Sequence, residues 1–321
     1  MILVLSFDCY EQGTDPVIDW LLYYKANFIK ITIQDLIQTN TPFKIDINKG
    51  RVFVKGKDIT DDIEVIWYRR FEEELSVNIP KGKFSDQALF ELKNEVEVTI
   101  AYLKKILSEK KWMPHNDGIK LDKPEVTFLA EQSNIRTPKS IITNNKQDVI
   151  SFQNTIQSDL ITKPIRHSSY FIDKEFTYSI YTQIIKKENL NELPERFVLT
   201  LFQECIDAEF EIRVFYLDGK FYATAIIITK KDNDVVDVKL NYQSENINWI
   251  PYKLPEEYEK ELDAFMKKIK LNTGSLDIMK TKDGKYVMLE INPVGQYSAP
   301  GYRCNYKLEE KIAKWLIDHD K

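Results

Sequence analysis

The chain has 321 residues, 43 % of them hydrophobic and 30 % charged, with a formal net charge of −5 at pH 7. This excludes a disordered chain, suggests about two domains, and argues against broad nucleic-acid binding. Its 10 glycines, well under the ~7 % usual in globular chains, include no pair two residues apart, so neither a G-x-G-x-x-G fingerprint nor a P-loop is present.

The nearest approach to a P-loop, Gly50 to Gly56-Lys57, is one residue too long and is followed by Asp58. Any nucleotide must be held by other means. The cysteines are Cys9, Cys205 and Cys304, with no C-x-x-C, and the histidines are His115, His167 and His319. A structural zinc site is not expected, and a reduced, cytoplasmic setting fits best. Residues 1–7 lack a basic start and meet Asp8, so they read as a buried strand and not a signal peptide. No apolar run reaches the length of a membrane span.

In chain order, the pattern predicts a strand at 2–7, a helix over 16–24 and a strand at 28–33. A hairpin follows at 43–47 and 51–54, turning on Asn48-Lys49-Gly50, then a strand at 65–70 that ends in Arg69 and Arg70. Leu89, Leu92, Val96, Ile100, Leu103 and Leu107 recur at helical period, giving an amphipathic helix over 85–108. The Pro, Asn, Asp and Gly cluster in 111–122 marks a boundary near residue 115. A helix over 124–132 is capped by Asp122, and strands at 138–142 and 160–165 flank a helix over 146–156. Further strands are expected at 176–184, 199–203, 210–217, 221–229 and 235–240, then a helix over 255–269. A hairpin at 275–279 and 286–291 and a helix over 308–317 close the chain.

The closing hairpin is the most informative segment. Asp283-Gly284 reads as a two-residue loop, which sets Lys282 opposite Lys285, Asp277 opposite Glu290 and Ser275 opposite Asn292. Side chains two apart share a strand face, so these last four project together. Opposed carboxylates destabilise a sheet, and a hard cation between them reverses the penalty. Asp, Glu and Asn oxygens suit Mg²⁺, although a polar stripe on an edge hairpin has the same pattern. Pro293 stops the strand directly after Asn292.

Upstream, three cations stand in strands. Lys163 precedes Pro164 in an apolar run and either snorkels to the surface or meets an anion. Arg213 shares a face with Glu211 and Phe215, and its fork suits phosphate or carboxylate. Lys239 repeats the pattern on the next strand. Residues 200–206, with Gln203, Glu204, Cys205 and Ile206, form an apolar strand breaking at a short linker, which reads by itself as an ordinary strand end, although its free backbone groups would also suit a purine ring. Asp207 and Glu209 follow it.

Lys before Pro, a Gln-Glu hinge, E-x-R, and Ser275-Leu-Asp277 with Leu289-Glu-Ile-Asn-Pro-Val-Gly-Gln296 together resemble the ATP-grasp superfamily. The finer resemblance is to ATP-grasp peptide maturases of the grasp-with-spasm type, relatives of the microviridin-type graspetide synthetases, which Trp67-Tyr68-Arg69-Arg70 also matches. It covers essentially the whole chain. It implies an α+β ATP-grasp fold with an N-terminal α/β pre-ATP-grasp domain at 1–115, a central lobe at 116–198 that binds the leader peptide, and a C-terminal lobe at 199–321 with the Mg/ATP site.

By the same resemblance, Asp277, Glu290 and Asn292 are the magnesium ligands, and Lys163 and Lys123 contact the α- and β-phosphates. Gln203, Glu204 and Ile206 form the adenine hinge, Glu209 meets the ribose, and Arg213 lies near the γ-phosphate. Lys239 stands where relatives carry arginine, a point charge in place of a fork, and the 165–169 loop lacks glycine. The implied activity is ATP-dependent: a Glu or Asp side chain of a ribosomal precursor peptide is phosphorylated, and a Ser, Thr or Lys side chain displaces the phosphate to close an ester or amide ring. Arg69 and Arg70 would hold the acidic core peptide, or else form a basic strand end facing solvent; ATP and Mg²⁺ are the cofactors, and a homodimer is implied. A small-molecule or C-terminal amino-acid ligase of the same fold, and a non-catalytic ATP- or peptide-binding protein, are the alternatives.

Overall fold

All five residues of the first strand, β1 (Ile2–Ser6), are buried, as a central parallel strand covered on both faces requires. A helix, α1 (Asp15–Tyr23), carries proline in its first turn and buries Val17 and Leu21. It leads to β2 (Phe28–Thr32), which pairs in parallel with β1. A short helix not expected from the sequence, α2 (Ile33–Ile37), follows, then the predicted hairpin β3 (Phe43–Asp46) and β4 (Arg51–Val54). This hairpin gains a third strand, β5 (Lys57–Asp58). Next come β6 (Val65–Tyr68), α3 (Ser85–Ile106) and β7 (Lys111–Met113). The parallel sheet has the order β2-β1-β6-β7. As its spacing predicts, α3 buries Val96, Ile100 and Leu103, with Leu107 buried at its end.

The computed structural model describes residues 1–37, 42–72, 81–165, 171–172, 177–178, 180–228 and 246–321. Lys239, the strand expected at 235–240 and residues 166–169 lie outside the described residues. The chain forms two compact units, one of Met1–Ile119, Lys270–Gly274 and Pro293–Lys321, the other of Lys120–Ile269 and Ser275–Asn292.

The second unit opens with α4 (Lys123–Glu131), whose first turn is capped as expected: the Asp122 carboxylate accepts the Glu125 N–H at 3.1 Å. After β8 (Ser140–Asn145) and α5 (Lys146–Gln153) comes β9 (Leu160–Lys163). In place of one strand over 176–184, Phe171–Ile172 (β10) pairs with Thr177–Tyr178 (β11), and β12 (Gln183–Ile185) is separate. With β13 (Arg196–Glu204) these give a sheet ordered β12-β9-β13-β8 over a core of Val149, Ile156, Leu160, Leu190 and Phe202. A second sheet, ordered β16-β15-β14-β17-β18, contains β14 (Ala208–Leu217), β15 (Lys220–Ile228), β16 (Ile247–Tyr252), β17 (Thr273–Thr281) and β18 (Tyr286–Asn292). The helix α6 (Glu256–Lys268) buries Leu262, Phe265 and Met266, and the Tyr216 hydroxyl donates to Asp263 at 2.7 Å.

In the first unit, α7 (Ser298–Arg303), also not expected, precedes α8 (Leu308–Asp318). A Cβ on Gly301 would lie 2.9 Å from Leu308 Cδ1, so only glycine lets α7 approach α8 this closely. The Tyr24 hydroxyl ties α1 to α8 through Glu310 at 2.8 Å. Among the described residues, no helix is long and apolar enough to cross a membrane.

The cap on α4 gives a direct test, because the lysine at its first position is a site candidate. Asp122→Ala is expected to cost about 1 kcal/mol, read as a lowered urea midpoint at unchanged slope.

Candidate active site

The hairpin of β17 and β18 places Asp277 opposite Glu290 and Ser275 opposite Asn292, the pairing the sequence predicts. The turn that produces it differs from the prediction. The Thr281 N–H donates to the Lys285 carbonyl at 2.9 Å, so the loop has three residues, 282–284, with Gly284 at φ +83°. A loop of this length needs a residue in the left-handed region, which glycine adopts without strain. The strands then pair Lys280 with Tyr286, Met279 with Val287 and Ile278 with Met288, one residue out of the expected register. A bulge that leaves Leu289 unpaired restores it at Asp277. Bulges bend a strand and re-aim its side chains. Here the Met288 N–H turns away to the Arg136 carbonyl at 2.9 Å.

Each of the two opposed carboxylates is met by a cation from another element. On β14, Arg213 Nη1 lies 2.5 Å from both Asp277 oxygens, while its Nε lies 2.6 Å from Glu211 Oε1. At the start of α4, Lys123 Nζ lies 2.9 Å from Glu290 Oε2. The side chains of Asp277 and Glu290 are only 9 % and 13 % exposed. Two half-desolvated like charges on facing strands would repel without these partners. Sequence reasoning placed Glu211 on the Arg213 face but gave it no role; the two-residue spacing in E-x-R was the available signal.

The other candidates cluster at the ends of β9 and β13. Lys163 is the last residue of β9, half-buried and opposite Leu201 on β13. Gln203 is buried: its Nε2 donates to Ser140 Oγ at 2.8 Å, and its buried Oε1 has no hydrogen-bond partner among the described residues. Glu204 pairs with the Lys139 backbone, donating its N–H at 2.8 Å and accepting at Oε2 at 3.3 Å. The Cys205 N–H donates to the Asp159 carbonyl at 2.9 Å, whereas Ile206 makes no hydrogen bond among the described residues. The strand thus ends in a peptide with donor and acceptor capacity left for a ligand edge. Glu209 is exposed near the start of β14, and Asp207 pairs with Lys282 at 2.8 Å.

Arg69 and Arg70 belong to the first unit, and neither is a solvent-facing strand end. Arg69 is 3 % exposed. Its Nη1 donates to the Val294 and Gly295 carbonyls, and its Nη2 lies 3.4 Å from Glu11 Oε1. Glu11 in turn accepts from Thr14 Oγ1 at 2.7 Å, and the Tyr297 hydroxyl donates to the Gly13 carbonyl at 2.6 Å. A Cβ on Gly13 would lie 2.4 Å from Arg69 Nη2. Arg69 therefore fixes the segment that follows Asn292 and Pro293 in the chain. Arg70 is half-buried with φ +57°, a conformation uncommon for a bulky side chain.

The donor set fits magnesium held with a nucleotide. Among the described residues no group of three His, Cys, Asp or Glu side chains could cage a metal. Mg²⁺ is commonly held by one or two carboxylates with phosphate oxygens and water completing the shell. Asp277, Glu290 and Asn292 supply such a partial set, beside two cations of the kind that bind phosphate.

The fold is that of known ATP-grasp ligases. The macrocyclase MdnC from Microcystis aeruginosa MRC, bound with precursor peptide MdnA, is 21 % identical, with 99 % of each chain covered and a TM-score of 0.79. A RiPP-associated ATP-grasp ligase from Chryseobacterium gregarium, in complex with ADP and a leader and core peptide, is 20 % identical over 99 % of this chain and 95 % of that one, with a TM-score of 0.80. The ATP-grasp ligase PsnB, complexed with minimal precursor, Mg and ADP, is 16 % identical over 100 % of this chain and 97 % of that one, with a TM-score of 0.78. No family model and no curated protein sequence matches the chain. The α+β ATP-grasp fold that the motifs implied is the fold of this chain.

Two measurements follow from the site. Arg69→Ala leaves buried carbonyls and the Glu11 carboxylate without their cation and should cost about 3 kcal/mol in denaturant unfolding; a change near zero would mean the guanidinium is not holding 294–295. Burial, and then the nearby Asp159 charge, push the Cys205 thiol above its ordinary pKa, which lowers its thiolate fraction at pH 8. Exposed Cys9 should therefore label first with a thiol reagent, and Cys205 should gain rate only at higher pH, as peptide mapping would show.

Proposed function

We propose that the chain is an ADP-forming ligase that cyclises a ribosomally made precursor peptide through Glu or Asp side-chain carboxylates. The carrying observation is the opposed pair Asp277 and Glu290, held by Arg213 and Lys123, in a chain that shares its whole length with peptide-bound ATP-grasp ligases.

ATP and Mg²⁺ are the cofactors of this reading, with Asp277, Glu290 and Asn292 as metal ligands. Bound magnesium would neutralise charge on the transferring phosphoryl group. Arg213 binds the γ-phosphate end, where its fork stabilises developing charge. Lys123 and Lys163 hold the other phosphates, Gln203, Glu204 and Ile206 orient the adenine, and Glu209 meets the ribose. A carboxylate oxygen of the precursor attacks the γ-phosphorus and ADP leaves. A Ser or Thr hydroxyl, or a Lys amine, of the same peptide then attacks the acyl carbon, and phosphate leaves with the bond electrons. The peptide loses one water per ring, and no protein nucleophile is needed. Arg70 contacts the acidic core peptide, whereas Arg69 positions the segment after Asn292.

Cys9, Cys205 and Cys304 form no disulfide, which supports a cytoplasmic setting, and the homodimer belongs to the same reading, testable by light scattering of the purified chain. Incubation with a candidate precursor, ATP and Mg²⁺ should lower the intact peptide mass by one water per crosslink and release ADP in equal number. Glu290→Gln should abolish both. A mass gain by an added residue would instead identify a small-molecule amino-acid ligase, and unchanged turnover in Glu290→Gln would sink the metal assignment.

A further inference from the structure

We propose that Glu211 is a positioning residue for nucleotide binding: it anchors the Nε side of Arg213 while the Nη1 end passes from Asp277 to a nucleotide phosphate. This rests on the ligase reading above. Glu211 and Arg213 stand two apart on β14 and share a strand face, with Nε and Oε1 2.6 Å apart. Glu211 is 7 % exposed and stands opposite Ile226 on β15, so water competes little for its carboxylate. A buried carboxylate is retained only with a partner. Asp277 is equally buried, at 6 % exposed, but it belongs to the opposed pair that a divalent ion can partner. Glu211 lies outside that pair, which makes the Glu211 end of the guanidinium the lasting one.

The other end has a reason to move. Asp277 belongs to the opposed pair whose oxygens suit a divalent ion, and its two oxygens are both taken by Nη1 at 2.5 Å. Arg213 thus competes with a cation for Asp277. Counting Glu211, Asp277 and Glu290 against Arg213 and Lys123, three carboxylates face two side-chain cations, one net negative charge. A phosphate gives Nη1 an acceptor of its own and releases Asp277. The planar fork allows the exchange because its nitrogens lie on different edges, so one edge stays ion-paired while the other changes partner. Lysine carries its three donors on one nitrogen, so it has no second edge to keep in place when that nitrogen moves. The consequence is ordered binding: a divalent ion alone is held weakly, and nucleotide raises its affinity through Arg213.

The test follows Mn²⁺ as the probe, by the resonance signal of the free ion, on the full chain with and without AMPPNP, an ATP analogue that keeps a γ-phosphate. Thermal unfolding of every variant reports its fold. Arg213→Gln is expected to bind Mn²⁺ without AMPPNP about tenfold tighter than wild type and to lose the AMPPNP-dependent gain. Glu211→Gln should keep weak Mn²⁺ binding without AMPPNP but lose about tenfold of that gain, with Glu211→Asp restoring part of it. Should Glu211→Gln fail to fold, Arg213→Lys takes its place, since it keeps the charge but has no separate Nε and Nη donors. A wild-type AMPPNP-dependent gain in Glu211→Gln, or in Arg213→Lys, overturns the proposal and leaves the ligase reading standing. A wild-type chain that binds neither Mn²⁺ nor AMPPNP overturns both.

Discussion

Two carboxylates set face to face on neighbouring strands cannot stay charged and half-buried without cations, and the second unit is organised around that constraint. Asp277 and Glu290 come from one hairpin, but their partners come from β14 and from the first turn of α4. The hairpin, the neighbouring strand and the helix are therefore tied at one place by charge, in addition to their apolar packing. Removing either cation leaves a buried carboxylate without its partner, which costs more than a surface ion pair contributes. The arrangement places two carboxylates beside two cations of the kind that bind phosphate, a set suited to magnesium-dependent phosphoryl transfer.

The scarcity of glycine acquires a positive meaning from this. A glycine-rich loop cradles phosphate with backbone N–H groups. In the proposed ligase reading, side chains projected from strands and from a helix start take that role, and such positions need no glycine. Glycine appears where backbone shape demands it: Gly284 turns the hairpin at positive φ, and Gly13 leaves room for the Arg69 guanidinium. Rigid elements also aim side chains more narrowly than loops do.

Much of this was legible in the sequence, because alternation on strands is a strict rule. Asp277 and Glu290 pair as the period-2 pattern requires, although the predicted turn was one residue too short. The bulge at Leu289 compensated, and nothing in the residues there marks a bulge, since any side chain tolerates it. The strand β16 was missed because Pro251 sits in it, and proline is confined to edge strands such as this one. The burial of Arg69 was illegible for a different reason. Its partners, the carbonyls of Val294 and Gly295 and the carboxylate of Glu11, are distant in sequence, and a strand-end arginine looks the same whether solvent or backbone receives it.

The choice of cation at each carboxylate follows from what each must hold. Position 213 serves two carboxylates at once, 2.6 Å away on one side and 2.5 Å away on the other, and only a planar fork with several donors meets both. Position 123 serves one carboxylate, and a point charge suffices. Yet a lysine at the first position of a helix stands at the positive end of the macrodipole, a location that disfavours it by about 0.3–1 kcal/mol. Asp122 at the cap and Glu125 in the first turn offset that field, and Glu290 supplies the direct partner. In the proposed ligase reading, a cation kept at an unfavourable helix terminus and held by the single Glu290 carboxylate is better placed to be handed to an incoming phosphate than one buried in a favourable pocket. The helix start whose N–H groups already favour anions then adds to the lysine instead of opposing it.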